Sequence, residues 1–201
     1  MIKASNLCTE IVQYSSAFET AVCTLASVCL PQYLDSDGAF DYDELHRVTK
    51  LLVRCLDNLI DLAEYPNVDV AGSAFNTRSI AIGTQGLADV FAMKELAFVS
   101  PLARGMNRRI YETIYHAALD SSNELASAKG SYDTWIGSPA QNGVLQIDMW
   151  DAEPSDLHDF ESLRRRIQDT GLRNSVLTAQ MPTSSMAQLF GNSEGIDPYL
   201  R

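Results

Sequence analysis

Two periods of apolar residues run through this chain, and the switches between them mark its elements. Residues 21–30, AVCTLASVCL, form a small apolar run stopped by Pro31, and the run fits either a buried strand or a short helix. A turn-rich Asp35-Ser36-Asp37-Gly38 follows. Asp41 and Glu44 then stand three apart as in a capping box, ahead of Leu45, Val48, Leu52, Leu56, Leu59 and Ile60 at helical spacing, with Pro66 beyond the end. Residues 79–83, SIAIG, alternate like a short strand, and 85–96 read as a helix. Met106, Ile110, Ile114, Ala118 and Leu125 carry a longer helix over about 102–129, which Gly130 is placed to end. Residues 137–143 read as loop. Phe160, Leu163 and Ile167 form the next helical stretch, stopping at Gly171, and 174–178 is a strand candidate leading into Met181-Pro182-Thr183-Ser184-Ser185-Met186-Ala187-Gln188. Helices alternating with a few short strands, without repeat or linker, predict one α/β unit with a parallel sheet.

Composition narrows the function classes. A chain of 201 residues, 46% hydrophobic, is long enough for one domain with a substantial core. The formal charge of -11 disfavours a nucleic-acid partner, which clustered Lys and Arg would have to hold. The one basic run, Arg164-Arg165-Arg166, lies in a helical pattern and reads as a solvated face. No apolar stretch approaches the roughly 20 residues of a membrane span, and the first residues do not read as a secretory leader. Cys8, Cys23, Cys29 and Cys55 form no CxxC pair, and His46, His116 and His158 are far from them in sequence. No metal is therefore expected, and free thiols in a reducing compartment are. Cys23 and Cys29 share one short element and are not expected to bridge.

Two stretches carry candidate chemistry. If Asn6-Leu7-Cys8-Thr9-Glu10 is extended, Asn6, Cys8 and Glu10 project from one face, placing an amide, a thiol and a carboxylate in a row. In residues 181–188, hydroxyl side chains follow a proline at a predicted helix start. Free backbone N–H groups and the helix dipole can receive a phosphate there, or Thr183 or Ser184 can simply cap the helix.

Several motifs, in order, resemble one family. NLCTEI, AVCTLAS, IGTQGLADVF, YETIYHAALDSSNELA, GLRNSVLTAQ, MPTSSMAQ and GNSEGIDPY are similar to the latter part of the catalytic core in the large subunit of class I ribonucleotide reductases. The resemblance implies a ten-stranded α/β barrel made of two five-stranded halves. The whole chain would be a single unit holding the radical-cysteine loop and most of the second half, with an open sheet edge. It implies reduction of ribonucleoside diphosphates, with Cys8 as the thiyl radical that takes the ribose 3'-hydrogen. Glu10 would accept the 3'-hydroxyl proton, and Asn6 would hydrogen-bond the substrate hydroxyls. Cys23 would be one of two cysteines that become a disulfide as the 2'-hydroxyl leaves as water. Thr183, Ser184, Ser185 and Met186 would form the substrate-phosphate loop, with Met186 where many relatives carry a hydroxyl. Cys29 and Cys55 fall on no redox position and are expected to be small buried hydrophobes.

The same resemblance implies no directly bound cofactor. The radical would come from a small subunit with a metal centre, the reducing equivalents from thioredoxin or glutaredoxin, and the setting would be cytoplasmic. The other redox cysteine, the nucleotide-sensing region and the radical relay would lie in the remaining parts of a large subunit, so the isolated chain is expected to be inactive. The alternative is a non-catalytic protein that keeps the fold for binding.

Overall fold

The computed structural model describes residues 5–199. Strand β1 (Thr24–Cys29) pairs in parallel with β2 (Ile80–Gln85), in a register running from Thr24 opposite Ile80 to Cys29 opposite Gln85. The apolar run at 21–30 is thus a strand, and Pro31 opens a 3-10 turn, Leu30–Tyr33. Parallel neighbours need a long crossover, and here it consists of α1 (Tyr42–Leu62) and α2 (Val68–Thr77).

Helix α1 begins as its sequence predicts, with the Asp41 carboxylate accepting from the Glu44 N–H at 2.8 Å. The reciprocal half of the capping box does not form. Glu44 turns instead to Arg47, 2.6 Å away, and the Asp41 N–H donates to the Tyr33 carbonyl. The buried stripe is Leu45, Thr49, Val53, Leu56, Asp57 and Ile60, so it is rotated from the predicted one, and Leu59 is half exposed. Helix α2 was not foreseen. Its Val-Asp-Val-Ala-Gly-Ser-Ala core is too small and mixed to show a stripe, and it rests on Asn67, whose side chain caps the Val70 N–H at 3.0 Å.

All six residues of β2 are buried, because the strand is covered on both sides. β1 lies along one edge. The predicted strand at 174–178 runs along the other, but only as a parallel bridge between Ile82 and Thr178. The Ile80 and Ile82 N–H groups, two residues apart, donate to the Val176 and Leu177 carbonyls, one residue apart. That mismatch breaks the ladder. Gly83 permits the close approach, since a Cβ there would lie 2.7 Å from the Ala179 carbonyl oxygen.

After β2, Gly86 adopts φ +81° against the Pro31 ring, so α3 is Leu87–Met93, shorter than the expected 85–96. The long helix α4 (Pro101–Lys129) matches its pattern and ends at Gly130. The stretch at 137–143 includes a 3-10 turn, Ala140–Asn142, and leads to the short α5 (Gln146–Met149). Helix α6 (Phe160–Thr170) stops at Gly171 as expected, and α7 (Ser184–Phe190) is the last helix among the described residues. The basic run on α6 is more than a solvated face. Arg164 pairs with Asp148 and Arg166 with Asp120, while Arg165 alone is free of the described ion pairs.

One core joins β1, β2, α1, α3, α4 and α6. At its heart, Asp57 of α1 is fully buried and accepts from Arg78 Nε at 2.8 Å and Asn174 Nδ2 at 3.2 Å. The result is a helix-rich α/β partial barrel with a small parallel sheet that does not close. Among the described residues, no helix is long and apolar enough to cross a membrane.

Candidate active site

The first segment of the site is a turn, which corrects the extended reading of residues 6–10. Ser5 and Val12 form an antiparallel bridge, and the Asn6 N–H donates to the Ile11 carbonyl. The Thr9 N–H closes onto the Asn6 carbonyl at 3.1 Å, and Thr9 adopts the left-handed φ of 63°. Asn suits the opening of such a turn, and Ile11, 5% exposed, anchors its base. Pleating therefore does not align Asn6, Cys8 and Glu10. Instead Glu10 folds back, and its carboxylate accepts from the Cys8 N–H at 2.9 Å. Cys8 sits exposed at the tip.

Cys23, just ahead of β1, is half-buried and unpaired. Burial, and second the negative charge of Glu10, push its thiol up to about 12. Glu10 thus touches both cysteines that the sequence singled out, Cys8 through its backbone N–H and Cys23 through its charge. Beneath them lies a small apolar cluster of Ile11, Ala81, Ala179 and Met181, with Cys23 and Val176 packed against it. This floor ties the turn, β2 and the approach to α7 together.

At the start of α7, Thr183 is the N-cap residue with φ 60°, but neither predicted hydroxyl caps the helix. Thr183 Oγ1 donates to the Pro182 carbonyl at 2.6 Å, and Ser184 Oγ donates to Glu194 Oε2 at 2.8 Å. The first helical N–H to find an acceptor is that of Ala187, on the Thr183 carbonyl. Among the described residues, the N–H groups of Ser184, Ser185 and Met186 have none, as expected of a first helical turn without a side-chain cap.

Asn6, Cys8, Glu10, Cys23, Thr183, Ser184, Ser185 and Met186 all line one open cleft of about 880 Å³. The structure brings together every residue the sequence nominated, from three separate parts of the chain. It also adds Gln13, whose buried Oε1 has no partner and which lines the same cleft. An isolated glutamine in a turn-rich stretch carries no sequence signal.

Outside the cleft, two expectations change. Cys55 is exposed rather than a buried hydrophobe, and Cys29 is only half-buried, with Asn192 Nδ2 donating to its sulfur at 2.9 Å. His46, His116 and His158, which the sequence keeps apart, gather into one cluster, and none of them lines the cleft.

Comparison with known proteins gives the family. The family model described as "Ribonucleotide reductase, barrel domain" matches residues 1–201. The chain is 50% identical over 198 residues to the ribonucleoside-diphosphate reductase large subunit of Danio rerio, covering 98% of this chain and 25% of that protein. It is also 50% identical to the Vaccinia virus (strain Copenhagen) large subunit, covering 98% and 26%, and 47% identical to the Schizosaccharomyces pombe large chain, covering 98% and 24%. The chain spans about a quarter of the length of these curated relatives. With the family model matched from end to end and an α/β partial barrel carrying the nominated residues on one cleft, the chain belongs to the ribonucleotide reductase barrel domain family.

Proposed function

We propose that this chain supplies the reacting cleft of a ribonucleoside-diphosphate reductase large subunit, converting ribonucleoside diphosphates to 2'-deoxyribonucleoside diphosphates. The observation that carries the reading is the convergence of Asn6, Cys8, Glu10, Cys23 and the residues from Thr183 to Met186 on one cleft, in a chain of this family. A Cys8 thiyl radical takes the hydrogen from the ribose 3'-carbon, forming an S–H bond and leaving the radical on the sugar. Glu10, already turned toward Cys8, accepts the 3'-hydroxyl proton, and Asn6 orients the hydroxyls. Cys23 stays a neutral thiol at ordinary pH, so it can give up a proton as the 2'-hydroxyl departs as water. Cys23 and a second thiol from the rest of the large subunit together pass two electrons to the sugar and form a disulfide, the second thiol's hydrogen going to the 2'-carbon that the water has left, while Glu10 returns its proton to the 3'-oxygen. Cys8 then returns its hydrogen to the 3'-carbon and recovers the radical.

The free N–H groups of Ser184, Ser185 and Met186 receive the substrate diphosphate, reinforced by the helix dipole. The radical is supplied by a separate small subunit with a metal centre, the disulfide is reduced by thioredoxin or glutaredoxin, and the setting is cytoplasmic. Two features favour the second reading, a binding protein without turnover: the Glu194 carboxylate accepts from Ser184 Oγ in the proposed phosphate loop, and Met186 offers no hydroxyl there.

The test is a chimera in which this chain replaces the matching 198 residues of the Danio rerio large subunit. With a small subunit and reductant, the chimera is expected to form deoxynucleotide. Cys8→Ala is expected to abolish product while changing nucleotide affinity less than about twofold, since the thiol reacts and contributes little to binding. A folded, nucleotide-binding chimera without turnover would favour the binding reading, and turnover in Cys8→Ala would remove Cys8 from the chemistry.

A further inference from the structure

Packing of α1 against α4 brings together two histidines that lie 70 residues apart, and a third joins them from the segment just ahead of α6. His46 Nε2 and His116 Nδ1 are 2.9 Å apart. The His116 and His158 rings stack with centroids 4.8 Å apart and planes 16° apart, and His46 lies 5.2 Å from His158. One nitrogen of each ring lies within 4.8 Å of those of the other two. We propose that His46, His116 and His158 form a binding site for a first-row divalent metal ion, zinc(II) above all, cross-linking α1, α4 and the lead-in to α6.

The donor geometry fits. Three imidazoles on tetrahedral zinc, with Zn–N of about 2.0–2.1 Å, place their nitrogens about 3.3 Å apart. The present spacing brackets that value, and closure requires the stacked His116 and His158 rings to turn their nitrogens toward one shared point. Three neutral nitrogens suit zinc, copper or nickel and do not suit magnesium or calcium, which take oxygen ligands. The fourth position would be left to water.

The surroundings fit as well. His158 Nε2 meets Thr113 Oγ1 at 2.9 Å, and a backbone hydrogen bond at Asp159 fixes His116, the kind of outer contact that orients ligating rings. Phe160 packs edge-on against His116 and covers one side. Carboxylates whose field reaches the rings are Asp43, one turn before His46, Asp120 from α4, and Glu112, which acts on His158. Lys50 is the opposing cation near His46, and it is already held by Asp120 and Glu124. Burial first, and then repulsion among the rings, hold His116 down to about 4, and burial also lowers His46 and His158. The alternative is a hydrogen-bonded histidine stack that never takes up metal.

The test uses the chelator-stripped chain titrated with zinc(II) alone, followed by calorimetry and zinc-edge X-ray absorption. The expected result is one zinc per chain, a nitrogen shell at about 2.0–2.1 Å with scattering from three imidazoles, and a higher melting temperature. Each of His46→Gln, His116→Gln and His158→Gln is expected to weaken binding more than about 100-fold, beyond the loss seen when only an orienting partner is removed. No binding by a chain whose circular dichroism shows it folded would overturn the proposal. So would a sulfur shell at about 2.3 Å, which would place the metal on the free thiols. Should a variant fail to fold, the absorption spectrum of the unmodified chain still decides between imidazole and thiolate.

Discussion

Replacing Asp57 with Ala removes the most deeply buried charged side chain among the described residues. Asp57 is fully buried, and its carboxylate holds Arg78 Nε at 2.8 Å and Asn174 Nδ2 at 3.2 Å, with Lys129 Nζ at 3.4 Å and Arg173 Nε at 3.6 Å. The Arg78 side chain is only 5% exposed. Breaking a buried pair from one side costs about 3–5 kcal/mol, because the remaining charge stays desolvated. The low end applies, since Arg78 keeps Asp61 at 2.8 Å and the Asp57 backbone carbonyl at 2.9 Å. Arg173 loses only its 3.6 Å ion pair, since its buried Nε has no hydrogen-bond partner among the described residues even with Asp57 present and its Nη1 keeps the Lys129 and Gly130 carbonyls.

The expected loss for Asp57→Ala is therefore about 3 kcal/mol. At about 2–4 °C per kcal/mol for a chain of this size, the melting temperature falls by roughly 6–12 °C. Urea unfolding followed by far-ultraviolet circular dichroism measures the loss directly, and an unchanged slope confirms that stability, not compactness, has moved. Asp57→Asn keeps one acceptor for Arg78 and is expected to cost less. Because Asn174 leads into the segment beside β2, exchange of the Ile82 amide, which donates to the Leu177 carbonyl, is expected to accelerate more than global unfolding requires. A loss below about 1 kcal/mol would show that the surrounding cations find other partners and that the node does not hold the fold together.

Two further outcomes follow from the cleft. Thiolate is the species that iodoacetamide alkylates, so at pH 8 Cys23 is expected to label more slowly than the exposed Cys8 and Cys55, its rate climbing about tenfold per pH unit toward about 12. Glu10→Gln removes the negative charge and moves that rise to lower pH; peptide mapping that finds Cys23 as fast as Cys55 at pH 8 would contradict the assigned burial. Gly83→Ala drives a Cβ to 2.7 Å from the Ala179 carbonyl and 3.2 Å from Met181 Cγ, and is expected to destabilise by about 1–3 kcal/mol. An unchanged urea midpoint would mean that the 179–181 segment yields easily.

The long helices were legible because their burial repeats with the helical period over many turns. Helix α4 matches its predicted span within a residue at its start, and α6 ends at the predicted glycine. Where the period was short or the residues small, the sequence misled. Helix α2 has only Val70, Ser73 and Ala74 buried, too weak a stripe to read. The alternation at 79–83 pointed to the right strand for the wrong reason, since both faces of β2 are buried. The strand candidate at 174–178 has the composition of a strand but lacks its ladder, because a register offset against β2 is a property of the pair and leaves no mark on either segment alone.

The site was legible as a set of residues and illegible as a shape, and the physical reason lies in its floor. Ala81, Gly83 and Ala179 meet where the turn holding Cys8, the strand edge holding Cys23 and the approach to α7 converge. Such close convergence selects small side chains, which contribute little to any hydrophobic pattern. Motif identity therefore had to nominate Asn6, Cys8, Glu10, Cys23 and the residues from Thr183 to Met186, and only tertiary contact could place them together. The histidine cluster is the same case without a motif. Its members stand on α1, on α4 and ahead of α6, with no fixed spacing of the kind that marks two ligands on one helix. Packing of α1 on α4 brings His46 to His116, so a change that shifts that packing would disperse the histidines.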